Sequence, residues 1–239
     1  MRLVGVFITL LLFVTAVPVE AAAESEEAFY IEPMEFRFSP GESRQAQVFR
    51  VHNRNEQPAK VRVEIFLRSE DMHKGERRAL SSDIRPDTRH FLLPAGESRD
   101  VSLTYHGSRH LKSERAYRVV VTQEGVAPET SLDMRFVYVA SAYVTPRGAE
   151  SKVRVVAIER ESAERVKVRL FNSGTAHKKL HEVKAELEET HDGRVRTLLL
   201  GDENLRRLAR ENVLAGSYLT LDLDIETKAG AELRFRLAP

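Results

Sequence analysis

The sequence contains no cysteine and no tryptophan among its 239 residues. Without cysteine the chain is neither a disulfide scaffold nor a cysteine-ligated metal protein, so its folded parts must be held together by hydrophobic cores. Charge of one sign is also lacking, because 37 lysine and arginine residues face 36 acidic residues and leave a formal net charge of +1. This balance argues against nucleic acid as a partner, since phosphate binding needs a concentrated basic excess.

Long apolar runs are scarce beyond the N-terminus. Met1-Arg2 precede an apolar run from Leu3 to Val17, and small residues follow as far as Ala23. This order is typical of a secretory signal peptide, so we expect residues 1–23 to be removed by cleavage after Ala21 or Ala23. No later run approaches ~18 apolar residues, so we expect an exported, soluble protein without membrane insertion.

Recognisable catalytic motifs are missing as well. There is no nucleophile elbow, phosphate-binding loop or dinucleotide fingerprint. The pairs His106/His110 and His177/His181 have a spacing of four, but they fall in predicted loops or strand starts without a placed acidic third ligand. We therefore expect no enzymatic activity, no metal and no cofactor.

What the sequence does contain is a series of short runs in which apolar and polar residues alternate, separated by turn residues. In the first part of the chain these runs predict about seven strands in about 115 residues, without a convincing amphipathic helix, which is typical of an immunoglobulin-like sandwich. The predicted strands are Phe29 to Phe38, Ala46 to Asn53, Val61 to Leu67, a short strand in the polar stretch Ser69 to Arg89, Val101 to Tyr105, Ala116 to Thr122 and the stretch that begins at Leu132. Pro33 interrupts the first of them and confines it to a sheet edge or a strand switch.

The second part shows the same pattern. Val183 to Glu189 and Val195 to Leu200 are predicted to form a hairpin around His191-Asp192-Gly193, because Asp-Gly supplies the positive φ values of a tight turn. Asn204 to Asn212 has the spacing of one or two helical turns. Later alternating runs fit a second, smaller β-sandwich.

The turn-forming segment Pro146-Arg147-Gly148 marks the predicted boundary between the two parts. We therefore predict an all-β protein with two immunoglobulin-like β-sandwich domains in tandem after the signal peptide, at residues 24–146 and 147–239.

The stretch from Leu132 to Pro146 is fifteen residues long, against about 3–10 for an ordinary strand. Leu132, Met134, Phe136 and Tyr138 alternate on one apolar face. Such a strand on a sheet edge is an aggregation hazard unless another chain pairs with it. The pattern alone leaves two interpretations, an internal last strand of the sandwich or a strand that pairs with another chain.

Several short motifs occur in a suggestive order. They are Ser39-Pro40-Gly41, Arg50-Val51-His52-Asn53, Leu93-Pro94-Ala95-Gly96, Ser113-Glu114-Arg115-Ala116-Tyr117-Arg118-Val119 and Leu170-Phe171-Asn172-Ser173-Gly174. In this order, and behind a signal peptide, they resemble the periplasmic pilus-assembly chaperones. The resemblance implies a non-enzymatic periplasmic chaperone that binds fimbrial subunits by donor-strand complementation and delivers them to an outer-membrane usher, with a role in fimbrium biogenesis and cell wall organisation.

The resemblance also implies site residues. Leu132, Met134 and Phe136 fall on the positions that the family uses to fill the groove of an incomplete subunit, and Tyr138 continues the same face. We expect these four side chains to form the subunit-binding donor strand.

The family's basic pair, which grips the subunit's terminal carboxylate, is missing, because its two positions fall on Glu35 and Ser141. Arg37 and Arg135 each lie an even number of residues away and so share a face with the expected position. They are the candidate carboxylate anchors, and the alternative is that both are surface arginines. Either these two arginines take over the role of the basic pair or the carboxylate is anchored in another way, so the resemblance is to a divergent branch of the family.

Two other classes of function compete with the chaperone. A structural β-sandwich subunit of a surface appendage is expected to carry a free N-terminal extension with alternating apolar residues, whereas Ala22 to Ala28 is short and acidic. A secreted hydrolase on a β-sandwich is disfavoured because the sequence shows no catalytic constellation.

Overall fold

The computed structural model describes residues 28–41, 46–71, 75–124 and 135–238. Within these ranges the chain forms eighteen strands, one α-helix, α1 (Asp202–Arg210), and one 3₁₀ turn, Leu180–Glu182. The strands are β1 (Phe29–Glu32), β2 (Glu35–Phe38), β3 (Ala46–Asn53), β4 (Ala59–Asp71), β5 (Gly75–Leu80), β6 (Ile84–Pro86), β7 (His90–Leu93), β8 (Ser98–Tyr105), β9 (Arg115–Glu124), β10 (Val137–Val144), β11 (Val153–Ser162), β12 (Arg165–Asn172), β13 (Lys178–Lys179), β14 (Lys184–His191), β15 (Arg194–Leu198), β16 (Asn212–Val213), β17 (Tyr218–Asp224) and β18 (Glu232–Ala238). The predicted all-β fold class is confirmed.

The first unit is a sandwich of two sheets. One sheet has the order β1-β3-β8-β6, and the other has the order β2-β10-β9-β4-β5 with β7 also paired to β4. Alternation along the strands builds the core between them: in β4, Val61, Val63 and Ile65 are buried, whereas Arg62 and Glu64 are only half-buried. The period of two in the sequence therefore places one face of each strand inside.

Pro33 separates β1 from β2, and the two strands belong to different sheets. β1 is antiparallel to β3, and β2 is parallel to β10. Because proline has no N–H to donate to a ladder, the chain leaves one sheet at this residue and joins the other. Of the two predicted alternatives, a sheet edge or a strand switch, the structure shows a switch between sheets.

Two predicted elements differ from the structure. The polar stretch from Ser69 to Arg89 holds more than the one short strand predicted there, since β4 continues to Asp71 and both β5 and β6 lie within the stretch. The fifteen-residue strand was also wrong in extent, because β10 covers only Val137–Val144, while Arg135 and Phe136 precede it outside the strand.

The second unit packs the sheet β11-β12-β17 against the sheet β15-β14-β18, with the short pair β13-β16 beside them. Its core includes Leu170, Leu187 and Leu223, all fully buried. The predicted hairpin is confirmed as β14 and β15, with positive φ at Asp192 (50°) and Gly193 (72°). The predicted helical segment is confirmed as α1, two residues earlier than expected at each end.

Buried asparagines explain two of the sequence motifs. Asn53 is 1% exposed and donates to the carbonyls of Leu93 and Pro94, which ties the end of β3 to the turn before β8. Asn172 is fully buried and donates in the same way to the carbonyls of Ala176 and Val213. In both units the amide satisfies backbone groups that turns leave without strand partners.

Each unit has its own hydrophobic core. The first core ends at Val144, and the buried residues of the second begin at Val166. The predicted boundary near Pro146 falls between them, and the domain limits 24–146 and 147–239 stay predictions. Among the described residues, no helix has the length and apolarity needed to cross a membrane.

Candidate functional site

The N-terminal half of β10 has an open edge. β9 pairs with β10 along all eight residues, but β2 pairs only with Ser141 to Val144 on the other side. The N–H of Ser141 donates to the carbonyl of Met34, so odd-numbered residues of β10 direct their backbone groups toward the β2 side. In the described part of the chain, the N–H and C=O groups of Val137 and Val139 therefore face an edge without a partner strand.

The predicted donor residues are only partly described. Leu132 and Met134 lie outside the described residues. Phe136 and Tyr138 are half-buried and pack against the first core, and the Tyr138 hydroxyl donates to the carbonyl of Phe29. Val137, on the opposite face, is 55% exposed. The predicted role of the four residues in filling a subunit groove stays a prediction.

A polar cleft of about 210 Å³ lies next to this strand, between the two units. The first unit contributes Glu35, Arg68, Arg118 and Ser141 to its lining, and the second unit contributes Lys179, His181, Arg210 and Glu211. The cleft thus combines four cationic side chains with two carboxylates and one histidine. Such a cleft can bind an anionic group through several charge-assisted hydrogen bonds.

The cations at the base of the cleft are held by carboxylates of the same chain. Arg68, with a side chain only 6% exposed, forms ion pairs with Glu70 at 2.6 Å and with Glu76 at 2.8 Å. Arg118 also pairs with Glu76, and its Nη1 donates to Ser141 Oγ at 2.6 Å. Burial raises the pKa of Glu76, but hydrogen bonds from Arg118 and Arg78 and the charge of Arg68 outweigh burial and lower it to about 2.

Glu35 sits at the mouth of the cleft, directly beside Ser141 in the register of β2 and β10. Its Oε2 forms an ion pair with Lys179 Nζ from the second unit, and its Oε1 accepts a hydrogen bond from Arg37 Nε at 2.9 Å. Partial burial raises the pKa of Glu35, but Lys179 and Arg37 outweigh it and hold this pKa below its ordinary value. The deeper Glu211 has the opposite shift, because burial raises its pKa more than Arg68 lowers it.

A second set of contacts joins the two units beside the cleft. The Glu114 side chain is 2% exposed and accepts hydrogen bonds from Thr145 Oγ1 at 2.7 Å and from His177 Nδ1, also at 2.7 Å. The His177 ring stacks on Tyr143 with centroids 3.9 Å apart, and the Tyr143 hydroxyl accepts a hydrogen bond from Asn212 Nδ2. These contacts fix how the walls of the cleft face each other.

The two candidate anchors from the sequence are not brought together at the cleft. Arg37 is exposed and touches the cleft only through its ion pair with Glu35. Arg135 is exposed and lies six residues before Ser141, roughly 20 Å along an extended chain. The cations that flank the expected positions at Glu35 and Ser141 are Lys179 and Arg118 instead.

Sequence reasoning missed Lys179 and Arg118 for different reasons. Arg118 belongs to the motif Ser113 to Val119, but nothing in the sequence indicates that its side chain reaches Ser141. Lys179 lies 38 residues beyond Ser141 in the sequence, in the other unit, and no local pattern connects the two. Only the packing of the two units places it against Glu35.

The structure also aligns a serine, a histidine and a glutamate. Ser98 Oγ lies 2.8 Å from His52 Nδ1, and His52 Nε2 lies 3.0 Å from Glu32 Oε1. They occupy neighbouring strands, and the Glu32 side chain is 64% exposed. Acyl transfer needs oxyanion donors in a site that excludes water, whereas these groups lie on an open sheet face. We interpret the row as a cross-strand polar ladder. Among the described residues, no group of three or more histidine or acidic side chains has the geometry to hold a metal ion.

Comparisons with known proteins identify relatives in fold only. No protein-family model and no curated protein sequence matches the chain. The pre-assembly complex of the chaperone CsuC with the tip adhesion subunit CsuE, from the archaic chaperone-usher Csu pili of Acinetobacter baumannii, matches with a TM-score of 0.54 and 19% identity, over 82% of this chain and 90% of that chain.

Two further solved structures agree with this match. The class 5 fimbriae chaperone CfaA has a TM-score of 0.53 and 16% identity, over 88% of this chain and 99% of that chain. The Salmonella enterica SafA pilin in complex with the SafB chaperone has a TM-score of 0.51 and 14% identity, over 87% and 88% of the two chains. The chain therefore has the tandem β-sandwich fold of pilus chaperones, and the resemblance seen in the motifs is confirmed at the level of fold.

Proposed function

We propose that this protein is a periplasmic chaperone that captures pilus subunits by strand addition and passes them to an outer-membrane usher. The observation that carries the proposal is the open edge at Val137 and Val139, in a chain with the fold of pilus chaperones. An unpaired strand edge is a template for pairing with another chain. A protein that keeps such an edge is suited to completing the sheet of an unfinished partner.

The proposed binding combines backbone pairing with groove filling. The backbone groups of β10 supply hydrogen bonds, and alternate side chains of the predicted donor strand enter the subunit's groove. Burying one large apolar side chain is worth about 1.5–3 kcal/mol before the costs of ordering and association. Tyr138 is the least available of the four, because its hydroxyl is bonded to Phe29 within the first unit. Groove filling is therefore assigned mainly to Leu132, Met134 and Phe136.

The cleft supplies the second part of the proposed site. A subunit strand that pairs beside β10 and runs toward Ser141 brings its terminal carboxylate to the mouth of the cleft. Lys179 contacts Glu35, Arg118 contacts Ser141, and both line the cleft, so we assign the anchor to them in place of Arg37 and Arg135. A charge-assisted contact in a partly buried cleft fixes the register of the added strand.

The alternative function, an appendage subunit, receives less support from the first unit. A subunit that polymerises by strand exchange leaves a groove where its last strand is missing. Here β10 is present as that strand, pairs with β9 along eight residues and buries Ala140, Ala142 and Val144 in the core. The first unit thus contains its own last strand, and the open edge of that strand can pair with another chain.

The test is a proline at the open edge. The N–H of Val139 faces that edge, so Val139→Pro removes a donor needed by an added strand without removing a hydrogen bond to β9. A pilin-like subunit encoded next to the chain's own gene is co-expressed with each variant, and its recovery by co-purification is measured. We expect about tenfold less subunit with Val139→Pro, because the missing hydrogen bond and the proline ring both oppose pairing.

The matched control is Val139→Ala, which removes most of the same side chain but keeps the N–H. Thermal melting of both variants shows whether the first unit stays folded. If folded Val139→Pro recovers as much subunit as Val139→Ala, strand addition at this edge is wrong.

A further inference from the structure

Glu35 is an acidic residue at a place where the proposed function requires a positive site. Its carboxylate contacts Lys179 from the second unit and accepts a hydrogen bond from Arg37 on its own strand. The side chains of Glu35 and Lys179 are 30% and 19% exposed, so both are accessible from the mouth of the cleft. In this structure Lys179 therefore already holds a carboxylate, and that carboxylate belongs to the protein itself.

The carboxylate that pairs with the arginines at the base of the cleft is bound much more firmly. Glu76 is shared by Arg68, Arg78 and Arg118, and all three guanidinium groups lie within 2.8 Å of it. Removing Glu76 would leave the nearly buried Arg68 with one ionic partner fewer in a site of low dielectric. Glu35 has two partners, of which Arg37 is 69% exposed, so it is the carboxylate that an incoming anion displaces at the lower cost.

We infer that Glu35 is a resident competitor, an internal carboxylate that occupies Lys179 in the free protein and exchanges with the terminal carboxylate of an incoming strand. This inference rests on the proposed function, because it assumes that a terminal carboxylate is the ligand of the cleft. The exchange keeps one carboxylate on Lys179 before and after binding. Arg37 retains the displaced Glu35, since its exposed side chain is free to move outward together with that residue.

The arrangement has two consequences. It weakens binding of the terminal carboxylate, because each binding event must break the Glu35–Lys179 pair. It also avoids an unpaired lysine between the two units when no subunit is bound, and an unpaired, partly buried charge is costly. The low pKa of Glu35 agrees with this role, since a competitor must be ionised wherever the incoming carboxylate is ionised.

The test measures binding of a defined probe to the full chain without residues 1–23. The probe is N-acetyl-Thr-Val-Thr-Val-Thr-Val with a free C-terminal carboxylate, compared with the same peptide as a C-terminal amide. Dissociation constants are measured by NMR titration of the labelled protein. We expect Glu35→Gln to bind the free acid about fivefold more tightly than the wild type, which corresponds to about 1 kcal/mol. Binding of the amide stays unchanged, because the amide does not need Lys179.

Two further variants separate this effect from a general change in charge or fold. Glu186→Gln removes one negative charge from an exposed ion pair with Lys184 in the second unit, and it is expected to leave both affinities unchanged. Adding Lys179→Gln to Glu35→Gln is expected to abolish the fivefold gain. Thermal melting of each variant confirms that the compared proteins are folded.

The outcomes distinguish this inference from the proposed function. If the wild type binds the free acid more tightly than the amide but Glu35→Gln does not tighten binding of the free acid further, the carboxylate anchor is supported and the inference that Glu35 competes is wrong. If neither the wild type nor Glu35→Gln discriminates between the two peptides, or neither binds them, the carboxylate anchor fails and the competitor fails with it. An equal gain for the amide, or for Glu186→Gln, also overturns the competitor.

Discussion

Replacing Glu114 with alanine tests how strongly the two units are held together. The Glu114 carboxylate is 2% exposed and accepts hydrogen bonds from Thr145 Oγ1 at 2.7 Å, from His177 Nδ1 at 2.7 Å and from the His177 backbone N–H at 3.1 Å. Thr145 directly follows β10, and His177 lies in the second unit. The substitution therefore removes a side chain that joins the first unit to the second.

The expected loss follows from these three contacts. A hydrogen bond to a charged group contributes about 1.5–3 kcal/mol net, but contacts to a single carboxylate are not additive, and its own burial has a cost. We expect the free energy of unfolding to fall by about 2–4 kcal/mol. For a chain of this size that unfolds as one unit, each kcal/mol corresponds to about 2–4 °C in Tm, so the shift is roughly 4–16 °C.

Differential scanning calorimetry of the wild type and Glu114→Ala measures this effect. If the contact couples the units, the variant shows a lower transition that broadens or separates into two, since each unit has its own core. Glu114→Gln keeps one acceptor oxygen and is expected to lose less. Glu182→Ala, which removes an exposed ion pair with Lys178, is the control. An unchanged melting curve for Glu114→Ala, or an equal shift in the control, would refute the reasoning.

Two further predictions concern the charges of the cleft. The pKa of Glu76 in the folded protein, about 2, lies below the ordinary 4.5, so the ionised carboxylate stabilises the fold above pH 4.5 and this stabilisation is lost as the pH falls toward 2. In urea unfolding between pH 2 and 6, Glu76→Gln should therefore reduce the pH-dependent change in the free energy of unfolding by on the order of 2 kcal/mol. The double variant Arg118→Gln/Lys179→Gln should reduce recovery of a co-expressed subunit at least fivefold more than Arg37→Ala/Arg135→Ala, since only the first pair lines the cleft.

Both experiments have outcomes that contradict them. If the free energy of unfolding depends on pH in the same way in the wild type and in Glu76→Gln, the charge of Glu76 does not stabilise the arginine cluster. Greater loss of subunit with the Arg37 and Arg135 substitutions would restore the anchors expected from the sequence, provided that both double variants melt like the wild type.

The local pattern of the sequence was sufficient for the elements and the fold class. Alternation with a period of two predicted which faces of the strands are buried, because the side chains of a strand point alternately to its two sides. Pro33 predicted a sheet edge or a strand switch, and Asp192-Gly193 predicted the tight turn of the hairpin in the second unit, because each restricts or permits backbone conformations within one or two residues. Such constraints act locally, so they can be seen in sequence.

The extent of β10 could not be predicted in this way. Apolar alternation in the sequence continues through Leu132, Met134 and Phe136, but β10 begins only at Val137, because regular strand pairing depends on a neighbouring strand and not on alternation alone. The open edge at Val137 and Val139 has the same origin, since it depends on β2 reaching only as far back as Ser141.

The sequence by itself determined that the positions expected to be basic hold Glu35 and Ser141. Only the tertiary structure decided what replaces the missing charges: Arg118 reaches Ser141 from the neighbouring strand, and Lys179 reaches Glu35 from the other unit, 144 residues along the chain. The physical reason is that electrostatic partners are selected by distance in space, and that distance is set by how two separately folded sandwiches pack against each other.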